Sequence, residues 1–268
     1  MLDIQNKTAF ITGAAGGIGL GIARALAREG ARVVLADIDT AEVEKSAAAL
    51  AADGAQTLAL SFDVADPAAW PRAKAQAEQV FGPVRILCNN AGVFAAGGPV
   101  EDIDPQTWRW LFGINLDAHL HALRIFLPEM RASGEEAHIV NTVSMAGLLA
   151  TAQTAAYSAS KFAALALAQS LRAELEGSRI GISVLCPGYA ATRLAATSQQ
   201  HLPDASRDAT DTAAFAAALA KGMAPDEIGA SVARAVKSGE FYIFTHPEFR
   251  EVIEGIQHEQ LAAFGAPA

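Results

Sequence analysis

Cysteine is scarce in this chain, with only Cys88 and Cys186 among 268 residues. Each ends an apolar run (RILC and ISVLC), which predicts two buried thiols, and no CxxC or Cys/His cluster offers a metal-binding set. Positive charge is also in short supply. Twenty Lys and Arg stand against 29 Asp and Glu, a formal charge of −9, so the basic surface that nucleic acid or an anionic membrane selects is missing. No uninterrupted apolar run reaches the roughly 20 residues that cross a bilayer. The opening MLDIQNKTAF has no basic segment followed by an apolar one, so no secretory signal is expected. Together these absences point to a cytoplasmic protein with no nucleic-acid or membrane partner and no metal. Charged residues are only 18% against 51% hydrophobic, which excludes disorder and predicts a packed core.

What is present is an alternation. Short β-branched apolar runs at Thr8–Thr12, Arg32–Ala36, Thr57–Phe62, Arg85–Asn89, His138–Val143, Gly181–Cys186 and Phe241–Thr245 predict strands. Stretches with helical spacing lie between them, at Ile18–Glu29, Thr40–Ala52, Ala68–Phe81, Pro105–Arg131, Ala155–Glu176 and Pro225–Lys237. Strands alternating with helices imply an α/β fold, a doubly wound parallel sheet of seven strands with helices on both faces. No Pro- or Ser-rich linker interrupts the chain, so residues 1–268 are expected to form a single domain. Residues 190–222 show no strand or helix pattern with clear bounds, and a loop-and-helix segment this long in a compact domain is expected to cover a substrate, the alternative being a tolerated insertion.

The first strand runs into Thr12-Gly13-Ala14-Ala15-Gly16-Gly17-Ile18-Gly19, where the first helix begins. Glycines at 13, 17 and 19 let the backbone turn tightly and approach a pyrophosphate, and the helix start at Ile18 offers free N–H groups. Asp37 ends the second strand, eighteen residues after Gly19. A carboxylate there accepts from ribose hydroxyls and repels a 2′-phosphate, so NAD is expected over NADP; capping of the next helix is the alternative role. Asp63-Val64 and Asn89-Asn90-Ala91-Gly92 end the third and fourth strands, where such sheets bind ligands. Asp63 can meet the adenine amino group, and Asn89, Ala91 and Gly92 the adenosine side, although each also suits a strand-end turn.

Tyr157 and Lys161 lie four apart at a helix start and share a face. Of the three tyrosines, only this one is followed four residues later by Lys. Taking a proton from an alcohol near neutral pH asks for a phenol about 3 pKa units below its usual value of about 10, roughly 4 kcal/mol of preferential phenolate stabilisation. A nearby ammonium supplies part of that. Ser144, at the end of the fifth strand, can hydrogen-bond the substrate oxygen. Asn115 falls inside a predicted helix, where Asn is slightly unfavourable; it either holds a bulge or a water or packs there by chance.

These residues resemble the short-chain dehydrogenase/reductase family from Lys7 to about Thr245. Thr12–Gly19 matches TGxxxGxG, Asn89–Gly92 matches NNAG and Tyr157–Lys161 matches YxxxK. Asn141–Ser144 resembles NxSS with Val143 in place of a serine, and Pro187-Gly188 with Thr192 resembles PGxxxT. The resemblance implies a Rossmann-like fold and a catalytic set of Asn115, Ser144, Tyr157 and Lys161. Tyr157 would be the acid/base, Lys161 would hold the nicotinamide ribose, and Asn115 would hold a water. Pro187, Gly188 and Thr192 would face the nicotinamide. A homodimer or homotetramer is implied too, the tetramer being in doubt because the end of the chain, YIFTHPEFR and an amphipathic tail to Phe264, departs from the family's glycine-rich segment.

Apolar residues follow the catalytic strands: Phe94, Ala146 and Tyr189, with Arg193 as the only nearby charge. We therefore expect a hydrophobic aryl or alicyclic secondary alcohol and its ketone, with NAD leaning towards oxidation. A non-catalytic dinucleotide sensor on the same fold is the rival, disfavoured because such a protein would be expected to lose Tyr, Lys or Ser. An NAD-bound epimerase or dehydratase would usually be longer. His119 and His121 are two apart on a helix and face apart, so no metal pair is expected; His201 is expected as a solvated loop residue, and one of Trp108 and Trp110 as core or interface.

Overall fold

A computed structural model describes residues 2–96, 98–203 and 213–265. Its strands are β1 (Thr8–Thr12), β2 (Arg32–Asp37), β3 (Thr57–Ser61), β4 (Val84–Asn89), β5 (Ala137–Thr142), β6 (Ile180–Cys186) and β7 (Tyr242–Phe244). They form one all-parallel seven-stranded sheet in the order β3-β2-β1-β4-β5-β6-β7. β1, β4 and β5 are buried along their whole length, as strands covered on both faces must be. The order runs outward from β1 to β3, then returns to the other side of β1 with β4. The connections after β1 and β4 diverge there, which opens a crevice beyond their carboxyl ends.

The helices are α1 (Gly17–Arg28), α2 (Thr40–Ala52), α3 (Trp70–Phe81), α4 (Pro105–Phe112), α5 (Ala118–Ser133), α6 (Ala155–Glu174), α7 (Leu194–His201), α8 (Ala213–Ala220), α9 (Pro225–Ser238) and α10 (Arg250–Ala262). One face of the sheet packs Ile11, Val33 and Leu35 against Ile22 and Leu26 of α1 and Val232 and Val236 of α9. The other face packs Phe10 and Leu87 against Trp70 of α3, Phe126 of α5 and Leu165 of α6. Each fully buried side chain of this size contributes roughly 1.5–3 kcal/mol. Trp70 sits among Phe10, Phe62 and Phe126, and its indole N–H donates to Val64 O at 3.0 Å, so its polar atom enters the core satisfied. α1 and α9 touch backbone to backbone: a Cβ at Gly21 would collide with Pro225 O, and one at Gly229 with Gly21 O.

Two departures from the sequence expectation, and one segment whose bounds it left open, matter for the site. The helix expected over Pro105–Arg131 is divided: a π-helical turn, Gly113–Asp117, separates α4 from α5. The extra residue in that turn leaves the apolar spacing on either side intact, so periodicity alone merges the two helices. The segment 190–222, expected to mix loop and helix without assigned bounds, contains α7 and α8; residues 204–212 of it lie outside the described residues. The last strand, expected over Phe241–Thr245, is only three residues long, and the tail beyond it forms α10, none of whose residues is fully buried. Among the described residues, no helix is long and apolar enough to cross a membrane, and no group of three or more His, Cys, Asp or Glu is placed to hold a metal ion.

Candidate active site

At the crevice, Gly13 has a φ of +65° and lies so close to the next turn that a Cβ would meet Ala91 Cα at 2.8 Å. Thr12 joins the two turns. Its hydroxyl accepts from Asn90 N at 2.9 Å and Ala91 N at 3.0 Å, while Asn90 Nδ2 donates to Thr12 O at 2.9 Å. The N-terminus of α1 has no side-chain cap, and a Cβ at Gly16 would meet nothing within 4 Å. The first N–H groups of α1 thus face open space, a cradle that suits a pyrophosphate.

Asp37 lines the same cavity; its carboxylate accepts from Ala15 N at 3.0 Å and Asp39 N at 3.2 Å. The cap of α2 is Asp39, which accepts from Glu42 N at 3.1 Å. Asp37 therefore does not serve as that cap. Asp63 accepts from Ala65 N at 2.8 Å and, with Val64, lines the cavity. Gly17, Ile18, Gly19, Ala91 and Gly92 also line it, and Thr192 approaches the glycine turn so closely that a Cβ on Gly17 would meet its methyl at 3.0 Å. Asn89 requires correction. It is 1% exposed, donates to Asn141 Oδ1 at 2.9 Å within the sheet, and does not line the cavity, because strand alternation turns it inward and brings Asn90 to the surface. Asn90, overlooked in the sequence, is the residue that clamps the two turns.

The cavity holds about 760 Å³ and continues from the glycine turn past Ser144, Tyr157 and Lys161 to α7 and α8. Ser144 accepts from Ala146 N at 3.1 Å and is hydrogen-bonded to the Tyr157 side chain. Burial pushes the Tyr157 phenol above its ordinary pKa, and the Ser144 bond opposes the rise without reversing it. The lowered phenol expected from the sequence is thus not a property of these residues by themselves. Lys161 is buried, donates to Thr142 O at 3.3 Å and lies 5.9 Å from the Tyr157 ring centre. Burial brings its ammonium down to about 8.

Asn115 stands behind this group and does not line the cavity. Its Oδ1 accepts from Val93 N at 2.9 Å, and its Nδ2 donates to Val93 O at 3.0 Å and Ser160 Oγ at 3.1 Å. Ser160 in turn donates to Tyr157 O at 2.7 Å. The π turn is what swings this amide out of helical register and into the chain entering the site, the bulge that a mid-helix Asn suggested. Gly92 is in contact with both groups: a Cβ there would stand 3.3 Å from Asn115 Oδ1 and from Lys161 Nζ.

Apolar side chains close the substrate end. Phe94 lies edge-on to Tyr157 at 5.0 Å and stacks on Phe215 of α8 at 3.9 Å, with Tyr189 6.3 Å from Phe215. Ala146, Trp110 and His201 line the cavity as well. Phe215 was not foreseen; a lone Phe in an Ala run (AAFAAALA) was its only signal. Nor is Arg193 the only charge, since the last turn of α4 brings Arg109 to the cavity, while Arg193 itself reaches Glu42 at 3.7 Å. His119 is fully buried near Lys161, and burial drops its pKa to about 3. Pro187 O accepts from Met145 N at 3.0 Å, which ties the Pro-Gly loop to the residue after Ser144.

Residues 7–203 match the family model described as short chain dehydrogenase. A 1-deoxy-11-beta-hydroxypentalenate dehydrogenase of Streptomyces exfoliatus is 36% identical over 250 residues, 93% of this chain and 86% of the relative. A CLA biosynthesis dehydrogenase/reductase of Lactiplantibacillus plantarum is 33% identical over 280 residues, covering 100% of this chain and 97% of that one. The crystal structure of a short chain dehydrogenase/reductase from Burkholderia phymatum in complex with NAD superimposes with a TM-score of 0.90 at 33% identity, covering 100% of this chain and 98% of that chain.

Proposed function

The chain belongs to the short-chain dehydrogenase/reductase family, a nicotinamide-dinucleotide oxidoreductase of hydroxyl and carbonyl substrates, and we propose that it uses NAD to interconvert a hydrophobic secondary alcohol and its ketone, with Tyr157 as acid/base. The observation that carries this reading is the single cavity shared by the uncapped α1 turn, Asp37, Ser144, Tyr157 and Lys161. When bound, NAD takes up or returns the hydride and, oxidised, adds positive charge beside the phenol.

The remaining roles fall to the chain. Gly13, Gly17, Ile18 and Gly19 present the pyrophosphate cradle, and Asp37 accepts from the adenosine ribose. Asp63, Val64, Ala91 and Gly92 border the adenosine half; Pro187, Gly188 and Thr192 border the nicotinamide half. Ser144 donates to the substrate oxygen, and Tyr157 moves the proton at that oxygen. Lys161 binds ribose and, at a pKa of about 8, keeps enough positive charge near neutral pH to favour the phenolate. Asn115 holds the local backbone, and so the approach to Lys161, in place.

Phe94, Phe215, Tyr189 and Ala146 favour an aryl or alicyclic substrate, and α7 with α8 are its cover. We take the chain as a single catalytic domain, cytoplasmic, whose exposed Trp108, Leu120 and Phe162 on α4, α5 and α6 suit a homo-oligomer contact.

The test is a panel of aryl, alicyclic, sugar and charged-acid alcohols and ketones, each with NAD(H) and NADP(H). We expect turnover of the first two classes with NAD. Tyr157→Phe should lower kcat by about 10²–10⁴ while NAD still binds, and Asp37→Ala should erode the preference for NAD. Exclusive turnover of sugars or acids would sink the substrate class, and an unchanged cofactor preference in the Asp37 variant would sink its role.

A further inference from the structure

Beyond β7 the chain turns back under the Pro187–Tyr189 loop. His246 is buried there, and both of its ring nitrogens are engaged. Gly188 N donates to Nδ1 at 3.0 Å, and the Thr245 hydroxyl lies 2.8 Å from the same nitrogen. Nε2 lies 2.8 Å from Tyr189 O. A backbone N–H can only donate and a carbonyl oxygen can only accept. Nδ1 must therefore carry a lone pair and Nε2 the proton, with the Thr245 hydroxyl donating as well. One neutral tautomer satisfies the Gly188 and Tyr189 contacts, with the Thr245 hydroxyl sharing the Nδ1 lone pair; the other satisfies neither and could only donate to the Thr245 hydroxyl.

The fit is close on the loop side too. A Cβ on Gly188 would meet Phe249 Cε2 at 2.7 Å and His246 Cδ2 at 2.9 Å, so the loop rests directly on both rings. On its opposite face Pro187, Gly188 and Tyr189 line the cavity, and Pro187 O is tied to Met145 N beside Ser144. His246 thus stands behind the cavity wall and holds the Gly188 N–H and the Tyr189 carbonyl, the two ends of one short stretch of it, from a part of the chain that departs from the family's usual ending.

We propose that His246 is a positioning residue: locked as the Nε2–H tautomer, it fixes the Gly188–Tyr189 backbone against which the nicotinamide half of the cofactor and the substrate are held. This rests on the NAD reading above. Its loss would loosen cofactor binding without touching a reacting atom.

Three variants of the full chain separate the two bonds. His246→Gln keeps a donor near Nε2, His246→Asn keeps an acceptor near Nδ1, and His246→Phe keeps the ring with neither. By calorimetry, we expect the NAD dissociation constant to rise roughly ten-fold in the Phe variant, as for loss of one to two net hydrogen bonds. Gln and Asn should rise less, with the NAD KM following and kcat changing little. A purely structural role would lower the melting temperature and leave NAD affinity at 25 °C unmoved. In histidine-¹⁵N-labelled protein, the resonance pair that vanishes in the Asn and Gln variants should report a protonated Nε2 and an unprotonated Nδ1. A protonated Nδ1, or wild-type NAD affinity in the Asn and Gln variants, would overturn the proposal, whether or not the Phe variant folds. Failure of the NAD reading looks different: the wild type itself would then bind no dinucleotide, while the tautomer signal would remain measurable.

Discussion

The Thr12 hydroxyl holds together the two turns that frame the cavity, since it accepts from both Asn90 N and Ala91 N. Thr12→Val keeps the shape and removes the acceptor, leaving two backbone donors unpaired at about 1–3 kcal/mol each. We expect a urea midpoint lowered by the equivalent of roughly 2 kcal/mol or more and weaker NAD binding, with Thr12→Ser close to wild type; equal midpoints for Val and wild type would show the hydroxyl idle. At this scale the sequence exposed most of the residues that line the cavity, because glycines, Asp37, Ser144, Tyr157 and Lys161 sit at strand or helix ends where the roles proposed for them follow from position. It did not distinguish Asn89 from Asn90. Both amides end the same strand, and only the pleat decides that one turns to Asn141 and the other to Thr12.

Between elements, the closest approach is that of α1 to α9 through Gly21 and Gly229. Any Cβ at Gly21 meets the Pro225 carbonyl, which is backbone and cannot rotate away. Gly21→Ala should push the helices apart, at a cost of about 1–3 kcal/mol as for overpacking. On the NAD reading proposed above it should also loosen NAD binding, because Gly21 lies about one turn into α1 from Gly17–Gly19, which would form the pyrophosphate cradle. A melting temperature unchanged from wild type would refute this. At the substrate end, Phe215→Ala removes the ring stacked on Phe94. We expect kcat/KM for an aryl ketone to fall about ten-fold, as for roughly 1.4 kcal/mol of lost contact, with little change for a small aliphatic one; a uniform loss would mean that α8 supports the fold rather than the substrate. These elements were hard to see in the sequence for a physical reason. α7 (LAATSQQH) and α8 (AAFAAALA) are short and lack a polar face opposed to an apolar one. The Ala run of α8 favours a helix, but without an amphipathic stripe neither segment tells which face packs over the cavity, and helices this short depend on packing.

Taken whole, the molecule carries buried groups that prefer to be neutral, and this sets its response to pH. Burial lowers His119 to about 3 and His138 to about 4 from an ordinary 6.5. Between those values the unfolded chain binds more protons than the folded one, so stability is complete above pH 6.5 and is lost as pH falls towards 4. Each group contributes on the order of 1.4 kcal/mol per pH unit in that window. Lys161, lowered to about 8, acts in the same sense between about 8 and its unfolded value near 10.4, but burial pushes Cys88 and Cys186 up to about 12, which opposes it above about 9. We therefore expect urea midpoints to decline from pH 7 to 4.5. His119→Leu should decline less steeply, so that it gains on the wild type in acid. Parallel pH profiles for the two proteins would remove His119 from the account.

The place of β1 in the sheet also has a consequence during synthesis. It leaves the ribosome ahead of both of its neighbours, β2 and β4, and lies between them in the finished sheet. β2 follows almost at once, whereas Val84–Asn89 emerges only after two more helices and a strand. Throughout that interval one edge of Thr8–Thr12, all five residues of which are destined for burial, is unpaired. The strand that anchors the cofactor turn is thus also the stretch of nascent chain with the longest wait for a partner, and the point at which slow translation or a missing chaperone would be felt first.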